Sequence, residues 1–163
     1  MTIVSLFIVL IVSLVAISSA VIKEYTQENF DEILHDDKVF IIKFYSPMCG
    51  TCKEFAPVWE KFTRTLGDQV EYGAVNIEAE GMGQLADSMG VLDEGIPNVR
   101  IITRKKKKML YKTPSIYSGQ GKSMPHVAKL VNLSMRVLQQ HQRDDEGNYM
   151  KHKTGHPSMH NEL

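Results

Sequence analysis

The chain has 163 residues, of which 43% are hydrophobic, and this is enough to bury the core of one globular domain. Its 19 basic and 19 acidic residues cancel, which argues against a nucleic-acid-binding protein, because such proteins carry a broad positive surface. Only two cysteines are present, so a disulfide-rich scaffold and an all-cysteine zinc site are excluded.

The chain begins with an apolar segment, from Ile3 to Ile17, followed by the small residues Ser18-Ser19-Ala20. A membrane-spanning helix needs roughly 20 apolar residues, and this run is shorter. Its length and the small residues after it are typical of a signal peptide, so we expect residues 1–20 to be removed after Ala20. The alternative is an uncleaved signal anchor. In both cases the rest of the chain enters an oxidising compartment, where a cysteine pair can act as a redox couple.

The elements that follow alternate between strands and helices. Val21–Tyr25 predicts an edge strand, and Thr26 is expected to cap a helix with apolar residues at helical spacing. The continuous β-prone run Val39–Tyr45 is typical of a central strand that is covered on both faces, although Lys43 interrupts its apolar character.

The remaining elements give the same alternation. In chain order they are a helix from Cys49 to Leu66 ended by Gly67, a strand at Val70–Ile77, a helix near Gln84–Met89, a strand at Asn98–Thr103, a last strand at Ile116-Tyr117 and a helix capped by Ser123 with Pro125 in its first turn. The order β-α-β-α-β-α-β-β-α predicts an α/β fold, a sheet with helices on both faces. Hydrophobic residues nearly vanish after residue 140, so residues 21–140 are the expected domain and 141–163 a disordered polar tail.

Cys49-Gly50-Thr51-Cys52 is the element with the clearest chemical meaning. The two cysteines either pair with each other or share a ligand. Thiol–disulfide exchange needs an accessible thiolate and a second thiol nearby, and a helix N-terminus favours the anion, so we expect the pKa of Cys49 to lie below that of a free thiol. Cys49 is then the attacking nucleophile and Cys52 the resolving thiol.

The alternative is a zinc site, because Cys-x-x-Cys is also half of many such sites. No second cysteine pair exists. The histidines that could complete a site lie in or at the polar tail, and they are His141, His152, His156 and His160. The sequence therefore favours a redox pair and predicts no metal.

The segment from Phe44 to Glu60, with the sequence FYSPMCGTCKEFAPVWE, resembles the active-site segment of protein disulfide isomerase domains. Gly95-Ile96-Pro97 and Tyr117-Ser118-Gly119 are similar to two further motifs of that family. The resemblance covers roughly residues 21–140 and implies the thioredoxin fold. It also implies that Pro97 is cis and faces the dithiol, with Ile96 and Met48 contacting an extended substrate. The alternative for Pro97 is an ordinary trans turn.

Four positions around the dithiol depart from the family pattern. Thr51 stands where these isomerases usually carry histidine, which predicts a less oxidising couple because a cation is lost. Met48 replaces tryptophan but could still contact substrate. Lys122 could replace, weakly, an arginine that tunes the resolving thiol.

The fourth departure is Lys43, which stands where the family has a buried acid. A neutral Lys43 could accept a proton, and a charged one would stabilise a thiolate, so we expect it to alter the resolving step. The alternative is that its stem is buried while its ammonium reaches water.

Three further segments resemble a targeting signal, a surface turn and a modification site. His160-Asn161-Glu162-Leu163 resembles the retrieval signals of the endoplasmic reticulum. The basic run Arg104–Lys108 is expected to be a solvated turn between two strands. Asn132-Leu133-Ser134 fits the N-glycosylation pattern but falls in the middle of a predicted helix.

The sequence thus predicts a monomeric thiol–disulfide oxidoreductase of the protein disulfide isomerase type in the lumen of the endoplasmic reticulum. Its expected partners are unfolded or disulfide-bonded secretory proteins, and glutathione or an upstream oxidase would recharge it. No nucleic acid and no cofactor besides the redox-active disulfide Cys49–Cys52 are expected. One alternative is a dedicated reductase, which Thr51 favours. Another is a binding module or chaperone whose redox step is slow and which uses the same groove.

Overall fold

The computed structural model describes residues 21–36, 38–68, 70–105, 108–109, 115–120, 123–140, 142–143 and 149–150. The predicted signal peptide, Lys122 and the retrieval-like tetrapeptide lie outside these residues. Within the described ranges, no helix is both long and apolar enough to cross a bilayer.

Nine strands and five helices are assigned within the described residues. The strands are β1 (Ile22–Tyr25), β2 (Phe40–Tyr45), β3 (Glu71–Asn76), β4 (Asn98–Ile102), β5 (Arg104–Lys105), β6 (Lys108–Met109), β7 (Tyr117–Ser118), β8 (Gln142–Arg143) and β9 (Tyr149–Met150). The helices are α1 (Asp31–His35), α2 (Gly50–Leu66), α3 (Met82–Ser88), α4 (Val91–Glu94) and α5 (Val127–Gln140).

The main sheet has the strand order β1-β3-β2-β4-β7. Strands β1 and β2 run parallel to β3, whereas β4 is antiparallel to both β2 and β7. The predicted edge position of β1 and central position of β2 are therefore confirmed. In the β2–β4 register Phe44 lies opposite Asn98, so the loop that leaves β2 and the loop that enters β4 meet at one end of the sheet.

Both faces of the sheet are covered by apolar side chains, because residues on a strand point alternately to opposite faces. Ile41 and Val99 pack with Phe55, Trp59 and Phe62 of α2 and with Leu130 of α5. The other face joins Ile42, Phe44 and Val75 to Phe30, Ile33, Met82 and Val91. The predicted α/β architecture with helices on both faces is confirmed.

Two predicted helix caps are wrong. Helix α1 begins only at Asp31, and no side chain caps it. Asn29 accepts the backbone N–H of Thr26 at 2.8 Å and so closes a turn before the helix. Helix α5 begins at Val127 rather than near Ser123, which is exposed and precedes it.

Five short elements, one helix and four strands, differ from the expectation. Helix α4 was not predicted, because a four-residue helix is too short to show periodicity. Arg104, Lys105 and Lys108 of the basic run lie in the paired strands β5 and β6, so the prediction that the run is a turn is wrong for these three residues. Strands β8 and β9 also pair, so the prediction of a disordered tail is wrong for these four residues. Tyr149 in this pair has a high strand propensity.

Candidate active site

The segment between β2 and α2 positions the first cysteine. The buried Ser46 accepts the backbone N–H of Met48 on its hydroxyl at 3.0 Å, and its carbonyl accepts the N–H of Cys49 at 3.2 Å. The Ser46 hydroxyl in turn donates to the Glu78 carboxylate. Glu78 is itself oriented by its N–H, which donates to the Asn76 side chain at 3.0 Å. The turn that precedes Cys49 is therefore held by hydrogen bonds within itself and by the hydrogen bond from Ser46 to Glu78.

Cys49 is the N-cap of α2 and is bonded to Cys52, with a Cα–Cα distance of 5.2 Å. Its sulfur accepts the backbone N–H of Cys52 at 3.1 Å. Cys49 is partly exposed, whereas Cys52 is only 6% exposed. An unpaired helix N–H directed at a sulfur stabilises the thiolate after reduction. This geometry suits Cys49 to attack and Cys52 to resolve.

Thr51 adds a contact that sequence reasoning missed. Its hydroxyl oxygen lies 3.3 Å from the Cys49 sulfur. The sequence suggested only the loss of a cation at this position, but the hydroxyl can donate a hydrogen bond to a thiolate. The signal that could have revealed it is a threonine two residues after a helix-capping cysteine.

The segment Gly95-Ile96-Pro97 enters β4 at the same end of the sheet as the dithiol loop. The Ile96–Pro97 peptide bond is cis, as the family resemblance implied. The Pro97 carbonyl accepts the N–H of Gly119 at 2.8 Å, so the β7 corner supports the loop. Met48 is 80% exposed at this end of the molecule, and Ile96 is half-buried.

Lys43 lies on β2, opposite the apolar residues Ala74 and Val99 of the neighbouring strands. Its Nζ is 4.8 Å from the centroid of the Tyr45 ring and 5.7 Å from that of the Trp59 ring. Burial lowers the pKa of Lys43 below its ordinary value, while the charges of Glu24 and Glu60 oppose this shift. The side chain is half-buried and meets aromatic faces, which are surfaces that attract a cation.

Two other candidates from the sequence are not part of the site around the dithiol as the structure describes it. Asn132 is exposed on α5, but the Ser134 side chain of the same motif is fully buried. Lys122 lies outside the described residues, so its predicted role stays a prediction. Among the residues that the structure describes, no three His, Cys, Asp or Glu side chains form a cluster that could hold a metal ion.

The sequence of the chain is similar to those of known thioredoxin-family proteins. Residues 21–121 match the thioredoxin family. The chain is 36% identical over 98 residues to the protein disulfide-isomerase A6 homolog of Drosophila melanogaster, and this alignment covers 60% of this chain and 21% of that protein. It is 33% identical over 103 residues to protein disulfide-isomerase A6 of Homo sapiens, and this alignment covers 63% of this chain and 21% of that protein. The chain thus spans about a fifth of the length of these relatives.

The fold of the chain is also similar to that of a solved thioredoxin domain. The first thioredoxin domain of mouse protein disulfide-isomerase A4 superposes with a TM-score of 0.51 at 26% identity, over 70% of this chain and 73% of that structure.

Proposed function

Because the chain belongs to the thioredoxin family, we propose that it is a thiol–disulfide oxidoreductase of the protein disulfide isomerase type, which forms, reduces or rearranges disulfides in secretory proteins. The observation that carries this proposal is the Cys49–Cys52 disulfide at the N-terminus of α2, with one partly exposed and one buried sulfur. The relatives named protein disulfide-isomerase support the same chemistry.

The reaction proceeds in two exchanges that conserve electrons. In the reducing direction the Cys49 thiolate attacks one sulfur of a substrate disulfide, and the other substrate sulfur leaves as a thiolate. Cys52 then attacks the Cys49 sulfur, which restores the Cys49–Cys52 disulfide and releases the second substrate thiolate. The substrate gains two electrons and the dithiol loses two. The same steps in reverse oxidise a substrate dithiol.

The proposed substrate surface consists of Met48, Ile96 and Pro97. Met48 offers an exposed, adaptable apolar side chain beside the dithiol. The segment before β4 provides backbone groups with which an extended peptide can pair. We place the protein in the lumen of the endoplasmic reticulum as a monomer, with glutathione or an upstream oxidase as its redox partner. The predicted signal peptide and the retrieval-like tail support this location.

Turnover of a scrambled disulfide protein tests the function. We expect the purified protein to restore native disulfides to scrambled ribonuclease A in a glutathione buffer, and the Cys49→Ser, Cys52→Ser double variant to lose this activity. A protein that binds reduced ribonuclease A equally well with and without its cysteines, and that shows no turnover, would instead be a binding module. The exposed Met48 is the feature that favours this second candidate.

Lys43 is the proposed electrostatic modulator of the dithiol. Cys52 and Trp59 share one face of α2 and are seven residues apart, a rise of about 10 Å along the helix, and the Lys43 ammonium lies over the Trp59 ring. At this separation and an effective dielectric constant of about 20, a positive charge stabilises a thiolate by about 1–2 kcal/mol.

We therefore expect Lys43→Met to move the pH profile of the resolving step, in which Cys52 attacks the mixed disulfide of Cys49 with glutathione, to higher pH by up to about one unit. The rate of this step, followed by stopped-flow tryptophan fluorescence after the reduced protein is mixed with oxidised glutathione at about pH 5 to about pH 10, checks the prediction. Lys61→Met removes the same charge from an exposed position of α2 and serves as the control. A Lys43→Met profile that coincides with that of the wild-type protein would show that the ammonium does not act on the dithiol.

A further inference from the structure

A buried charged network lies directly beside the segment that enters β4. Arg100 is a β4 residue whose side chain is only 3% exposed, and its Nη2 is 2.8 Å from Oε1 of Glu94, the last residue of α4. The same nitrogen donates to the Gly90 carbonyl at 3.2 Å, at the start of α4. Arg100 therefore binds both ends of this short helix.

Asn98 connects the network to the loop itself. It is fully buried, and its side-chain nitrogen donates to Oε2 of Glu94 at 3.2 Å and to the Gly95 carbonyl at 3.3 Å. Its oxygen accepts from Nε of Arg100 at 3.2 Å. Both carboxylate oxygens of Glu94 are thus occupied immediately before the loop.

The Glu94 carboxylate is held in its charged form. Partial burial raises the pKa of Glu94, but hydrogen bonds from the Ser115 and Asn98 side chains and the charge of Arg100 lower it by more, so that it lies below its ordinary value. A buried arginine without a counter-charge is costly, so this carboxylate and Arg100 depend on each other.

The opposite side of the loop is closed by the β7 corner. The Gly119 N–H donates to the Pro97 carbonyl, and a side chain at Gly95 would meet Gln120. The loop is therefore held between the corner and the charged network, although neither contains a cysteine or an exposed substrate-contacting side chain.

We propose that Glu94, Asn98 and Arg100 are positioning residues that hold the Gly95–Pro97 segment in the conformation that receives a substrate peptide. This inference rests on the proposed function, because it assigns to the network the geometry of the peptide-binding segment. The network acts on substrate affinity and not on the sulfur chemistry, since its contacts join α4, the loop and β4 rather than the dithiol.

The variant Glu94→Ala tests the proposal, and Asp93→Ala, an exposed acid on the same helix, is its control. The probe is a synthetic extended peptide with one intramolecular disulfide, and KM and kcat for its reduction are measured. We expect Glu94→Ala to raise KM about tenfold, equivalent to about 1.4 kcal/mol, with kcat and the alkylation rate of Cys49 by iodoacetamide unchanged. Asp93→Ala should leave all three values unchanged.

Amide hydrogen exchange at Gly119 provides a readout that does not need activity. This N–H donates to the Pro97 carbonyl, so a loosened loop should exchange it about tenfold faster in Glu94→Ala, because the free energy that is lost from binding equally favours opening of the loop. Glu94→Gln keeps the side-chain volume and replaces Glu94→Ala in both measurements if that variant does not fold.

Three results would contradict one or the other proposal. A folded variant with wild-type KM and wild-type Gly119 exchange would overturn the positioning role. A fall in the Cys49 alkylation rate equal to the loss in kcat/KM would also overturn it, because the effect would then act through the dithiol. Failure of the wild-type protein to reduce the peptide would contradict the proposed function itself, and the Gly119 exchange rate would still decide whether Glu94 holds the loop.

Discussion

Cys49→Ser is expected to abolish thiol–disulfide exchange, whereas Cys52→Ser should convert the protein into a trap that stays covalently attached to its substrate. The difference follows from the geometry of the pair. Cys49 is partly exposed at the helix N-terminus and receives a helix N–H, whereas Cys52 is almost fully buried. Only Cys49 can reach a substrate disulfide, and only Cys52 can attack the mixed disulfide that results.

The two variants are compared by non-reducing gel electrophoresis after incubation with scrambled ribonuclease A and alkylation of free thiols. Cys52→Ser should accumulate a mixed disulfide that reducing agent removes, and Cys49→Ser should form none. Turnover by Cys49→Ser should fall by at least about a thousandfold, because the remaining thiol is inaccessible. Equal accumulation of adducts by both variants would show that the assigned roles of the two thiols are wrong.

Gly119→Ala is expected to lower the free energy of unfolding by about 2 kcal/mol, since adding a methyl group to a closely packed site forces neighbouring atoms to move. A Cβ at this position would lie 2.5 Å from Pro97 Cδ and 2.7 Å from the Ile96 carbonyl oxygen. These are ring and backbone atoms, which cannot move aside as the end of a flexible side chain can. The substitution should also raise KM for a disulfide peptide, because the same segment forms the proposed substrate surface.

Urea denaturation followed by circular dichroism measures the change in stability. Gly50→Ala is the matched control for stability, because a Cβ there meets no atom within 4 Å. Gly50 lies in the first turn of α2, where alanine is the better helix former, so this control should be neutral or slightly stabilising. A Gly119→Ala protein as stable as the control would show that the β7 corner accommodates the extra methyl group without a loss in the free energy of unfolding.

Much of the candidate site could be predicted from residues that are close in sequence. The Cys-x-x-Cys spacing and the helix that follows place one sulfur at a helix N-terminus, and this depends only on local geometry. The family resemblance added the thioredoxin fold, and the match over residues 21–121 and the mixed five-stranded sheet confirm it. Helix caps were predicted less well, since Thr26 and Ser123 have capping side chains but each lies several residues before its helix begins.

Sequence alone therefore determined the redox pair, the order of strands and helices along the chain and the presence of helices on both faces of the sheet, because these follow from short-range spacing and from the pattern of hydrophobic residues. Only the tertiary structure decided the surroundings of Lys43 and the burial of Arg100. A lysine or arginine in a strand is compatible with either solvent or core, and its neighbours come from helices and strands that fold over it. For the Cys49–Cys52 dithiol, the chemistry is a local property, whereas the segment that would present a substrate to it is held by contacts that form only in the folded domain.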